Sequence, residues 1–136
     1  MRGIRSRLRT LRDDDAGSSP VEFVLVGTLL TLVTLAVLQF GLAVYVRNVV
    51  HDAAVDGAFH AALADTTLAD GEHRAREIIG RAVGTQYAAD VHAVESGRLG
   101  HPTIEVTVSA TLPLVGLLGA ARMLEVTAHA PVESFG

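Results

Sequence analysis

Glu22 is the residue of this 136-residue chain whose chemistry most needs a reason. It follows Gly17, Ser18, Ser19, Pro20 and Val21, and it stands immediately before Phe23. From Phe23 to Val46 the chain holds 24 residues without an Asp, Glu, Lys, Arg or His. A carboxylate at the mouth of such a run has two physical uses. It is an acid favoured by the positive end of a helix macrodipole, or it is the partner of a cation that arrives from elsewhere.

The other groups able to do chemistry form no recognisable set. The six histidines stand at 51, 60, 73, 92, 101 and 129, with neither an H-E-x-x-H motif nor compact ligand spacing, so no metal site is expected. His92 and His129 alternate with inward-facing residues and are expected to face solvent. There is no G-x-S-x-G and no Gly-rich phosphate loop. The chain has no cysteine, which removes a thiolate nucleophile, a disulfide framework and a Cys-ligated metal. Asp13, Asp14 and Asp15 read as solvated charges or as recognition and topology elements. The expectation is a protein that is not an enzyme, with no cofactor and no small-molecule substrate.

The element that positions Glu22 is the apolar run itself. As a helix, 24 residues span roughly 36 Å, enough to cross a hydrocarbon core of about 30 Å with some tilt. The alternative, a buried helix of a soluble domain, is rarely apolar on every side for so many turns. Residues 1–12 carry five Arg and no acid, whereas residues 18–136 hold six Arg and twelve Asp or Glu. The positive-inside tendency therefore places the start of the chain in the cytoplasm and its C-terminal part outside. Arg47 marks the far end of the span, where its long side chain can reach the interface. All eleven basic residues are Arg, read as genome composition. The Arg-rich start lacks aromatic interleaving and a neighbouring basic domain, so nucleic acid is not an expected partner.

A secretory signal has an apolar region of about 7–15 residues with small residues after it. Here the run is longer and the small residues, "DAGSS", come first. The stretch "GSSPVEF" followed by a continuous apolar helix resembles the processing site of type IV pilin-like proteins. More narrowly, the order of small residues, V-E-F, an apolar run, Gly41, Tyr45 and the Ala-rich Ala53–Ala62 resembles the TadE family of Tad/Flp pilus pseudopilins. The resemblance covers roughly residues 16–62. It implies cutting by a membrane prepilin peptidase after Gly17, with Ser18 as the new N-terminus, Glu22 as the fifth mature residue and Phe23 as the aromatic after it. It also implies that the Ser18 ammonium pairs with a neighbouring subunit's Glu22, setting axial register. Pro20 departs from the family pattern, in which a small or aliphatic residue is more usual.

Beyond Arg47 the helix is expected to continue. At spacing four, Asp52, Asp56 and His60 form a polar row, Val55, Phe59 and Leu63 an apolar row, and Ala54, Ala58 and Ala62 a small row beside it. The apolar stripe serves either as the protein's own core or as a surface for a partner helix. "ADTTLAD" reads as a loop, with Asp70 capping a second helix from about Gly71 to Val83. That helix carries Glu72–Arg76 and Glu77–Arg81 at i, i+4, buries Ala75, Ile78, Ile79, Ala82 and Val83, and stops at Gly84. Alternation then predicts strands in "AADVHAVE", "TIEVTVSATL" and "LEVTAHAPV", with Ile104, Val106, Val108, Ala110, Leu112, Leu124, Val126, Ala128 and Ala130 inward. Pro131 suits the end of an edge strand. Leu114, Val115, Leu117 and Leu118 lie in a Gly-containing apolar loop that either tucks under the sheet or serves as a contact for membrane or partner.

The expected fold class is α+β: a long N-terminal transmembrane helix continuing into amphipathic helices, then a small antiparallel three-stranded sheet. The expected divisions are a cytoplasmic leader over 1–17, a transmembrane and assembly helix over 18–47, and an extracytoplasmic domain over 48–136. The implied role is a minor pilin or pseudopilin in pilus assembly for adhesion. Its implied partners are membrane lipid, a prepilin peptidase, other Tad pilins and the assembly platform. The alternatives are a permanently anchored bitopic protein with an outer binding domain, and a secretion-machine accessory of the same anatomy.

Overall fold

The structure, a computed structural model, describes the backbone over residues 2–112 and 123–133, and side chains over 18–112 and 123–133. The order of elements is α1 (Arg2–Ala62), α2 (Leu68–Ala82), a short 3-10 turn (Thr85–Tyr87), β1 (Asp90–Ser96), β2 (Thr103–Thr111) and β3 (Met123–Pro131). The chain divides into two units, residues 1–38 and 39–136. The expected fold class is the observed one. The candidate contact loop with Leu114, Val115, Leu117 and Leu118 lies outside the described residues.

In the first unit, α1 presents its apolar side chains outward from Val21 through Leu38. The helix absorbs the threonine hydroxyls that this stretch contains. Thr28, Thr31 and Thr34 each donate a hydroxyl hydrogen bond of 2.8 Å to the carbonyls of Val24, Gly27 and Leu30. Each hydroxyl is thereby satisfied within the helix, without water or another chain. An 18-residue window of mean hydropathy 2.4 makes this helix long and apolar enough to cross a membrane.

In the second unit, α1 and α2 cover one face of an antiparallel sheet in the order β1-β2-β3. Register places Val91, Val108 and Val126 in one inward layer and Ala93, Val106 and Ala128 in the next. Strand alternation predicts this inward face correctly, because one side of each strand meets the helices and the other meets water. Thr103, expected outward, is instead buried. As the first residue of β2, it satisfies its hydroxyl by donating to the His101 carbonyl at 3.1 Å. Pro131 ends edge strand β3, as expected.

The two helices meet through their smallest residues. A Cβ added to Gly57 would lie 2.8 Å from the Gly71 carbonyl oxygen, and one added to Gly71 would lie 2.6 Å from the Gly57 carbonyl oxygen. Ala53, Ala54, Ala58, Ala61 and Ala62 are buried around this crossing. The small row is thus the core side of α1. The larger apolar row points away from it, with Val55 half-buried and Phe59 and Leu63 exposed.

Helix α2 begins earlier than its sequence reading. Thr67, not Asp70, is the N-cap, and Asp70 occupies the third helical position of a capping box. Ala82, expected inward, is exposed, whereas Ala75 and Ile79 are buried and Ile78 and Val83 half-buried. The i, i+4 pairs form as expected, with Arg76–Glu72 at 3.2 Å and Arg81–Glu77 at 2.5 Å. Gly84, at φ +116°, stops the helix and donates its N–H to the Ile79 carbonyl.

Candidate functional site

The stretch that begins the described side chains is helical from its first residue. Ser18 and Glu22 stand four apart on α1, one above the other on one face. The Ser18 hydroxyl donates to Glu22 Oε1 at 3.3 Å. Glu22 is exposed and Phe23 is 80% exposed, so carboxylate and aromatic are both presented outward at the head of the apolar surface. Gly17 lies within the same helix, and Pro20 is the proline inside it. The geometry offers a carboxylate able to take a cation, set against a surface that needs lipid or partner helices to cover it. Arg47 is exposed on α1 in the second unit.

A second feature was open in the sequence and is decided by the helix crossing. Val55, Phe59 and Leu63 line an open groove with Asp52, Asp56, His60, Arg74, Pro131 and Glu133. Arg74 Nε donates to Asp56 Oδ1 at 2.8 Å, and this contact raises the guanidinium above its usual value. The apolar stripe is therefore largely an outer surface with a charged rim, and not the buried core side of the helix.

The sheet's other face carries polar pairs. His92 Nε2 lies 2.7 Å from Asp90 Oδ1, and the Thr107 and Thr127 hydroxyls are 3.1 Å apart across β2 and β3. His92 and His129 are exposed, as the alternation predicts. Among the described residues no group of three His, Cys, Asp or Glu could hold a metal ion.

Sequence reasoning missed how α2 holds the sheet. Glu72 Oε1 accepts the Ala93 N–H at 2.9 Å, and Arg76 Nη2 donates to the Val91 carbonyl at 2.6 Å. The Glu72–Arg76 pair reads in sequence as a solvated helix pair. Its spacing carries no sign that the same two side chains satisfy edge strand β1.

The family model described as TadE-like protein matches residues 17–58. Over those residues, about a third of the chain, it is similar to TadE-like proteins. The match begins at Gly17, includes Ser18, Glu22, Phe23 and Arg47, and ends at Ala58, one residue before Phe59. It lies wholly within α1, and α2 and the sheet stand outside it. A TadE-like segment points to a Tad pilus-related protein, with pilus components as the general class of interacting proteins. Its apolar helix is consistent with a single-pass membrane anchor near the N-terminus. Comparison with curated proteins and with solved structures gives no match.

Proposed function

We propose that this chain is a TadE-like minor pilin or pseudopilin that acts by assembly and not by catalysis. It is made as a single-pass membrane precursor with its N-terminus inside and its C-terminal domain outside. A prepilin peptidase trims it after Gly17. The mature chain then joins other Tad pilins at the assembly platform of a Tad/Flp pilus that serves adhesion.

The observation that carries this reading is the placement of Glu22. It lies one turn from Ser18 at the head of an outward-facing apolar helix, inside the TadE-like match. An unpaired charge taken into a bilayer costs about 2.5–3.5 kcal/mol on insertion scales. The Ser18 ammonium left by trimming provides the missing partner. Within one chain, Oε1 accepts from the Ser18 hydroxyl. Oε2 then takes the ammonium of a neighbouring chain. Such a pair forms only when subunits stack correctly, so it fixes axial register. The apolar helix serves first as anchor and then as filament core, with Arg47 at the outer interface. The Val55–Phe59–Leu63 stripe supplies a lateral contact outside the membrane. No nucleic acid, cofactor or small-molecule substrate enters this role.

Replacing Glu22 with alanine tests the reading. Glu22→Ala is expected to insert in the membrane at the wild-type level and to be lost from the sheared pilus fraction. Wild-type levels of the variant in that fraction would defeat the proposed pairing.

A further inference from the structure

Pro20 lies inside α1, the third residue after the Gly17–Ser18 bond. A proline within a helix has no N–H to give the carbonyl four residues earlier, and its ring crowds that carbonyl. The residue before it, here Ser19, is biased away from the helical region toward extended backbone. Gly17, Ser18 and Ser19 are themselves weak helix formers. The four residues Gly17–Pro20 therefore hold the helix less firmly than the apolar run that follows.

The same proline has a different effect once the chain is trimmed. In a helix that starts at Ser18, Pro20 falls in the first turn. N–H groups of the first turn have no intrahelical partner, and proline is well tolerated there. Pro20 thus weakens the helix of the precursor and leaves the helix of the product unharmed.

We propose that Pro20 is a positioning residue for cleavage: it lets the helix open locally at 17–20, presenting the Gly17–Ser18 bond in extended form to the peptidase. This rests on the processing proposed above. A peptide bond inside a helix has its polar groups engaged and its flanks crowded, so cleavage proceeds through an opened state and follows that state's population. In the step itself water adds to the Gly17 carbonyl carbon and the C–N bond breaks. Gly17 keeps the new carboxylate, and Ser18 leaves as the ammonium after gaining a proton.

The test is pulse-chase processing of the full precursor in membranes holding an active prepilin peptidase. It compares wild type with Pro20→Ala and Pro20→Gly. Alanine restores the missing N–H and favours the helix; glycine restores the N–H and keeps the segment loose. Pro20→Ala is expected to be cut at the same bond but on the order of tenfold more slowly, because the competent state is rarer. Pro20→Gly is expected to be slowed less, about fivefold, since glycine lies between alanine and proline in helix propensity. Equal membrane insertion of all three separates this from a general defect. Cleavage of Pro20→Ala at the wild-type rate, or equal slowing of both variants, overturns the role of Pro20 while leaving processing intact. A wild-type precursor that stays whole overturns both.

Discussion

The backbones of α1 and α2 touch at Gly57 and Gly71, where a Cβ on Gly71 would lie 2.6 Å from the Gly57 carbonyl oxygen and 2.5 Å from the Ala61 Cβ. Neither obstacle is the far end of a flexible side chain. Gly71→Ala therefore has to push the helices apart, and overpacking of this kind costs about 1–3 kcal/mol. Thermal unfolding of the full chain in detergent, followed by circular dichroism, should show a lowered midpoint. An unchanged midpoint would mean that the crossing is looser than described.

The crossing also decides which apolar residues are free. Ala58 is fully buried and Phe59 is 56% exposed. Ala58→Leu should destabilise the domain by about 1–3 kcal/mol through overpacking. Phe59→Ser should stay within about 0.5 kcal/mol of wild type, as surface changes usually do. If the stripe is a lateral contact, Phe59→Ser should nonetheless reduce recovery in assembled pili. A large stability loss from Phe59→Ser would return the stripe to the core.

At the start of α2, the Thr67 N–H donates to Asp70 Oδ2 at 2.8 Å, and the Thr67 hydroxyl donates to the same atom at 2.7 Å. These bonds favour the ionised carboxyl, so Asp70 titrates below the ordinary aspartate value of 3.8. A lowered folded-state value stabilises the fold above the unfolded value, and this contribution disappears as pH falls through the folded one. The stability difference between wild type and Asp70→Asn should therefore be constant near neutrality and shrink below about pH 4. Thr67→Ala, which removes the cap itself, should cost about 1 kcal/mol at neutral pH. A wild-type–Asp70→Asn difference that persists at pH 2 would contradict the capping box.

Strand β1 is an edge of the sheet, and α2 covers its backbone through Glu72 and Arg76. Exposed strand edges invite pairing with other chains, so side chains that occupy the edge also guard it. Glu72→Ala should speed exchange of the Ala93 amide about tenfold, in keeping with loss of a hydrogen bond worth about 1–1.5 kcal/mol. Amide exchange read residue by residue checks this, with Val106 as a central-strand reference. Unchanged exchange at Ala93 would show that the edge is held by other means.

The sheet was readable in the sequence because period-two alternation is imposed directly by one wet face and one packed face. Val91, Val106, Val108, Val126 and Ala128 all lie where the alternation places them. The helical part was less readable where size mattered more than hydrophobicity. Phe59 outranks Ala58 on any hydrophobic scale, yet only small residues allow the approach at Gly57 and Gly71. Spacing within one helix does not show which row meets a second helix. Thr67 and Asp70 did carry a visible sign, the T-x-x-D pattern of a capping box, hidden in a stretch that otherwise reads as a loop. The contacts of Glu72 and Arg76 with β1 depend on residues about 20 positions away and have no local signature. At the candidate site, Glu22 and Phe23 were legible because a carboxylate beside an uncharged run of 24 residues stands out by chemistry alone.

The most direct measurement is the intact mass of the protein extracted from native-host membranes, with its N-terminal peptide mapped. The host must contain an active prepilin peptidase. The account predicts a chain that begins at Ser18, which would explain Gly17 and Glu22 together. A chain that begins at Met1 or Arg2 would contradict it, leaving Glu22 as an acid at a helix mouth and the outer domain as a permanently anchored module.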